Sequence, residues 1–137
     1  MRNLCRVTGL LAVLVSPCNA DDLSFTVTNI GEPVGQLMWQ LYDSPESYAN
    51  SVQPVISAKS RVDGDSLRVT LHDLAPGPYA IRLFHDANGN DELDTNILGI
   101  PTEGYGFSND AGRFGPPSFE EAAIHVDGNT IVEMKVR

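Results

Sequence analysis

The sequence predicts an all-β fold: a single immunoglobulin- or transthyretin-like β-sandwich of about seven strands with one long ordered loop. Three observations carry this. Short stretches of alternating apolar and polar residues recur along the chain, turn residues separate them, and helical periodicity is nearly absent. The single-domain reading follows from length, since no linker or internal repeat divides residues 21–137.

The elements follow in order. Residues 23–28, Leu-Ser-Phe-Thr-Val-Thr, alternate as a half-buried strand should. Gly31, Pro33 and Gly35 mark a turn before a second strand over residues 36–42, with Leu37, Trp39 and Leu41 on the core face. Ser44 and Pro45 suit the N-cap and first position of a short helix reaching Asn50. Residues 55–62 and 66–71 flank Asp63-Gly64-Asp65, a hairpin signal. After the turn at residues 74–78, a strand over residues 79–85 feeds a long segment without sustained period, residues 86–118. Residues 122–126 and 130–136 flank Asp127-Gly128-Asn129, which reads as a second hairpin.

Residues 1–20 have the three-part build of a secretory signal. Arg2 and Arg6 give a basic start, residues 7–15 are mostly apolar, and Ser16-Pro17-Cys18-Asn19-Ala20 leads to cleavage after Ala20. The apolar run falls short of the roughly 20 residues that cross a bilayer. A lipoprotein signal at Cys18 is the weaker reading, because Pro17 stands where such signals carry a small residue. The expectation is an exported protein, periplasmic or secreted, with no membrane span.

Both cysteines, Cys5 and Cys18, fall in this leader, so the remaining domain has no disulfide, thiolate metal site or cysteine nucleophile. Without Arg2 and Arg6 the chain keeps 9 − 2 = 7 basic residues against 18 acidic ones, a net charge of −11. That balance excludes a nucleic-acid partner, which demands clustered Lys and Arg.

Residues 86–118 are too long for a structureless connection in a compact domain and too apolar for a linker, with Leu93, Ile97, Leu98, Ile100, Tyr105, Phe107 and Phe114 among them. The expected arrangement is an ordered loop packed on the sandwich. Its start, HDANGNDELDTN, places oxygen-bearing side chains at Asp86, Asn88, Asn90 and Asp94, a set suited to a hard cation. With the Glu92 carbonyl these residues make a candidate calcium site, and Glu103 or Asp110 is available to complete the shell. The competing reading is a polar turn, since Asn88-Gly89-Asn90 needs no ion to turn.

Residues 74–122 resemble the domain-of-unknown-function family 2141 of bacterial exported proteins. The pieces that carry the resemblance are LAPGPYA, HDANGNDELDTNILGIPTEGYGFSN and FGPPSFEEA. It implies a signal peptide followed by one β-sandwich domain, and it implies no activity. Asp86, Asn88 and Asn90 are also similar to the start of the calcium loops in sandwich repeats of bacterial surface adhesins. Those loops usually carry Gly where this chain has Asp91 and Glu where it has Ile97.

No enzyme is expected, and no catalytic residue is assigned. His72, His85 and His125 share no zinc-ligand spacing. Ser108 and Ser118 lack a nucleophile-elbow sequence. The chain ends Met134-Lys135-Val136-Arg137, unlike the Tyr-Arg-Gly-Ser tail of transthyretin-like ring-opening enzymes. Tyr105, Phe107 and Phe114 are candidate ligand-binding aromatics, against the simpler reading that they fill the space between loop and sandwich. The function expected from the sequence is a binding module for an unknown protein or glycan, steadied by calcium. A metal-free structural or envelope-associated protein is the alternative, and a hydrolase using His85 and the loop carboxylates is the weaker third reading.

Overall fold

A computed structural model describes residues 20–137. The expected leader up to residue 19, with Cys5 and Cys18, lies outside the described residues. Eight strands and two short helices follow in order: β1 (Asp21–Thr28), β2 (Gln36–Tyr42), α1 (Pro45–Asn50), β3 (Ile56–Arg61), β4 (Leu67–Leu74), β5 (Gly77–Asp86), β6 (Tyr105–Phe107), α2 (Phe119–Ala122), β7 (Ile124–Val126) and β8 (Thr130–Lys135). A 3-10 turn occupies Ser108–Asp110. Among the described residues, no helix is long and apolar enough to cross a membrane.

The strands form two sheets, as the alternating pattern requires. One runs β4-β1-β8; the other runs β3-β2-β5-β6, with β7 also paired to β5. β1 and β8 are parallel, Leu23 opposite Thr130 and Thr28 opposite Lys135. A tight turn cannot join parallel neighbours, and here the pair unites the first and last strands.

The apolar positions of each strand meet between the sheets. Leu23, Phe25 and Val27 of β1 lie against Leu37, Trp39 and Leu41 of β2 and Ile81 and Leu83 of β5, all buried. Trp39 is core, edge-on to Phe25 at 5.3 Å, with its Nε1 donating to Ser60 Oγ at 3.0 Å.

A second cluster, Tyr42, Tyr48, Ala80, Phe119 and Ala122, seals one end under α1 and α2. α1 starts where Ser44 and Pro45 place it, with Ser44 Oγ accepting from Ser47 N. α2 is held by a capping box between Ser118 and Glu121. Arg82 ties α1 to the sheet. Its guanidinium lies 4.3 Å from the Tyr48 ring centroid and 4.8 Å from that of Tyr42, and it donates to Ser51 Oγ and the Tyr48 carbonyl.

Two expectations, the hairpins and the packing of the long segment, need correction. The count of about seven strands becomes eight among the described residues, because β6 is a three-residue strand inside the long segment, where Gly106 at its centre hides its alternation. That glycine is a packing requirement, since a Cβ there would lie 2.5 Å from the Lys135 carbonyl oxygen. Neither Asp-Gly turn makes a hairpin. β3 pairs with β2 while β4 pairs with β1, and β7 pairs with β5 while β8 pairs with β1. Each Asp-Gly turn therefore passes the chain from one sheet to the other, and buried Val62 directs the first crossing.

Finally, the long segment is ordered but not packed down throughout. Its tip exposes Ile97 completely, Leu98 to 77% and Ile100 to 55%.

Candidate functional site

β5 carries the chain out of the sheet at Asp86, whose side chain is fully buried. Its Oδ1 accepts the backbone N–H groups of Gly89 at 2.8 Å and Asn90 at 3.1 Å. Its Oδ2 accepts Asp91 N at 3.0 Å and the side-chain amide of Gln36 at 2.9 Å. A carboxylate offers about four lone-pair sites, and here all are occupied. Burial alone would raise the Asp86 pKa, but the bonds from Gln36, Asp91, Gly89 and Asn90 outweigh it and hold the carboxyl below its ordinary value. Asp86 organises the loop from beneath.

Asn88, Asn90 and Asp94 come together one layer further out. Asn88 donates its amide to Asp94 Oδ2 at 2.5 Å, and Asn90 donates to Asp94 Oδ1 at 2.8 Å. Each asparagine also makes an Asx turn: Asn88 Oδ1 accepts Asn90 N, and Asn90 Oδ1 accepts Glu92 N, both at 3.0 Å. Glu92 joins this set through its own N–H. The amide hydrogens, rather than the amide oxygens, face the carboxylate. A cation at Asp94 would displace those two amides and use the second lone pair of each Asn oxygen. Among the described residues, no group of three or more His, Cys, Asp or Glu side chains is gathered as a metal-ligand set.

Glu103 closes the base of the loop. Its Oε1 accepts Ala87 N at 3.0 Å and its Oε2 accepts Asp94 N at 3.1 Å. Asp110 serves elsewhere, accepting Lys135 N at 2.9 Å. Among the described residues, the cation paired with the acids of the loop is Lys59, whose Nζ is 2.7 Å from Asp91 Oδ2.

The tip beyond Asp94 is built like a small hairpin. Thr95 and Pro101 form an isolated bridge, and Thr102 N donates to the Asp94 carbonyl at 2.8 Å. Asn96 Oδ1 accepts Leu98 N at 2.9 Å and Ile100 N at 3.1 Å, while Asn96 N donates to the Ile100 carbonyl at 2.9 Å. Backbone polar groups are thus satisfied inside the tip, and the apolar side chains point outward.

The aromatic candidates separate. Tyr105 and Phe107 are neighbours on β6, half-buried and edge-on at 6.1 Å. Phe107 also packs against the second apolar cluster, whereas Phe114 is fully exposed. The polar side chains considered for hydrolysis hold structure. Ser108 Oγ is buried, accepts Ile81 N at 2.9 Å and donates to the Ala122 carbonyl. Ser118 caps α2, and His85 Nε2 meets the Val34 carbonyl at 2.7 Å. His72 pairs with Asp22 at 3.0 Å, and His125 is exposed.

Sequence reasoning missed the roles of Gln36 and Asn96 and took Glu103 only as a spare cation ligand. The Asn96-Ile97-Leu98-Gly99 turn had a local signal, Asn followed by Gly. Gln36 had none, because its partnership depends on β2 lying beside β5.

Among known proteins, the family model described as an uncharacterized protein conserved in bacteria (DUF2141) matches residues 25–133, which is most of the chain. No curated protein and no solved structure matches.

Proposed function

The chain belongs to the DUF2141 family of uncharacterised bacterial proteins, and from the geometry of its loop we propose that it is an exported binding module rather than an enzyme. The observation that carries this reading is the apolar tip. Ile97, Leu98 and Ile100 are exposed on a turn whose own hydrogen bonds fix it. Exposed apolar groups gathered in one place mark interaction surfaces. A tip already ordered in the free protein avoids much of the entropy loss that binding otherwise demands.

Asp91, Glu92, Asp94 and Glu103 flank this tip. The partner that suits it is a protein with an apolar recess rimmed by basic side chains. The test is a photo-crosslinking residue at Leu98 in the producing cell, with a control at Ile131, exposed on β8 in the opposite sheet. A saturable adduct at position 98 alone, lost in Ile97→Ser/Ile100→Ser, supports the reading. Equal labelling at both positions, or none, overturns it.

Calcium is a second reading, favoured by the convergence of Asn88 and Asn90 on Asp94. In this reading the ion draws the two amide oxygens and the carboxylate together and stiffens the base of the tip.

A further inference from the structure

The alternation of β1 points Asp21, Leu23, Phe25 and Val27 toward the core, and only Asp21 is charged. The residue is 8% exposed, and its Oδ2 is buried with no hydrogen-bond partner among the described residues. A buried carboxylate oxygen without a donor is costly, so this end of the sheet calls for a cation or a donor. The neighbouring strands do not provide one in register. Arg68 stands opposite Thr26 and Lys135 opposite Thr28, five and seven residues further along β1. His72 of β4 is engaged with Asp22, the next residue, which alternation places on the outer face.

We propose that the missing partner is the α-ammonium group of Asp21 itself, created when the leader is cut after Ala20. This rests on the export reading above. Hydrolysis of the Ala20–Asp21 peptide by a leader-processing peptidase consumes one water. It leaves a carboxylate on Ala20 and an amine on Asp21. That amine, with an ordinary pKa of about 7.7–8.0, takes a proton at neutral pH. A gauche χ1 rotamer would bring it within hydrogen-bond reach of its own side-chain carboxylate. In the uncut chain the same nitrogen is a neutral amide with one hydrogen, whereas the cut chain offers three hydrogens and a positive charge. Processing therefore completes the fold at the end of β1 as well as releasing it. Every residue of both apolar cores lies between Leu23 and Val136, so the cut removes no core side chain.

The experiment begins with the full chain expressed with its leader in an exporting bacterium. The processed protein is recovered, and its N-terminal residue is read by intact mass and terminal sequencing. Its thermal midpoint is then compared with that of a chain in which Gly-Ser-Gly precedes Ala20. The expected result is a processed chain starting at Asp21 that melts about 3–6 °C above the extended one. With Asp21→Asn in both, the two midpoints should coincide. Recovery of the uncut chain alone overturns the export reading and the proposal with it, and a cut at another residue overturns the proposal while leaving export standing. A start at Asp21 with equal midpoints for the wild-type pair overturns the ion pair alone and leaves export standing. Because that comparison uses wild-type side chains, the proposal stays testable even if Asp21→Asn does not fold.

Discussion

The side-chain amide of Gln36 donates to Asp86 Oδ2 at 2.9 Å, so the first residue of the loop is anchored to β2 as well as to its own strand. Removing the carboxylate in Asp86→Ala takes the acceptor from the N–H groups of Gly89 and Asp91, while Asn90 N keeps Asn88 Oδ1 and the Gln36 amide keeps Asp91 Oδ1. Each donor left without an acceptor costs about 1–3 kcal/mol. Denaturant unfolding is expected to show a loss of at least about 2 kcal/mol, since two donors lose their acceptor and two more lose one of their two. Asp94→Ala in chelator should lose less than about 1 kcal/mol, because its two asparagine partners are exposed and turn to water. Equal losses in the two variants would refute the division of labour between these aspartates.

Acid should undo the same anchor. The Asp86 carboxyl is held below its ordinary value in the folded chain, chiefly because its hydrogen bonds overcome the burial penalty. A group depressed on folding contributes stability above its unfolded pKa, about 3.9 for Asp, and that contribution disappears as pH falls through the folded value. Unfolding free energy should therefore fall steeply below about pH 4 in the wild type. In Asp86→Asn the fall should be shallower, from a lower starting stability. Parallel curves would mean that Asp86 does not titrate differently in the two states.

Much of this was legible along the chain, and the rest was not, for a physical reason. β2 and α1 fall where Leu37-Trp39-Leu41 and Ser44-Pro45 place them, because alternation and capping are local properties. The two false hairpins show the limit. An Asp-Gly turn fixes a reversal of direction, but which neighbour a strand takes depends on sheet-to-sheet packing. The candidate site divides in the same way. Asn88, Asn90 and Asp94 gather because they are close in sequence, whereas the bonds from Gln36 to Asp86 and from Ala87 and Asp94 to Glu103 depend on topology.

Gly35 is expected to be intolerant of any side chain. Its φ is +69°, and a Cβ there would run into the Asp86 carbonyl oxygen and sit 2.8 Å from Ala87 Cα. Both obstacles are backbone, which cannot move aside without shifting the start of the loop. Gly35→Ala should cost about 2 kcal/mol or more, combining left-handed strain with the clash. A loss under about 0.5 kcal/mol by denaturant unfolding would show that this turn is free to move.

Glu103→Gln should leave the sandwich intact but loosen the loop base. The carboxylate accepts two N–H groups with two oxygens, and the amide replaces one oxygen by a donor. Amide hydrogen exchange is expected to quicken at one or both of Ala87 and Asp94, with core strands such as β2 unchanged. Unchanged exchange at both amides would remove Glu103 from the loop's support.

Calcium response distinguishes the two readings of the loop most directly. The asparagine amides satisfy Asp94, so the fold is expected to persist in chelator. Millimolar calcium should nevertheless raise the midpoint, because an ion bound only by the folded loop stabilises it in proportion to ln(1 + [L]/Kd). At ten times Kd that amounts to about 1.4 kcal/mol, a rise of roughly 3–6 °C for a domain of this size. Magnesium should give a smaller response, since it sheds water reluctantly and demands a tight octahedron. Asp94→Asn removes the carboxylate that both gathered asparagines face and should abolish the calcium shift with little loss in chelator. If the wild type shows no shift, the asparagine pair is the permanent partner of Asp94, and the loop presents its apolar tip without an ion.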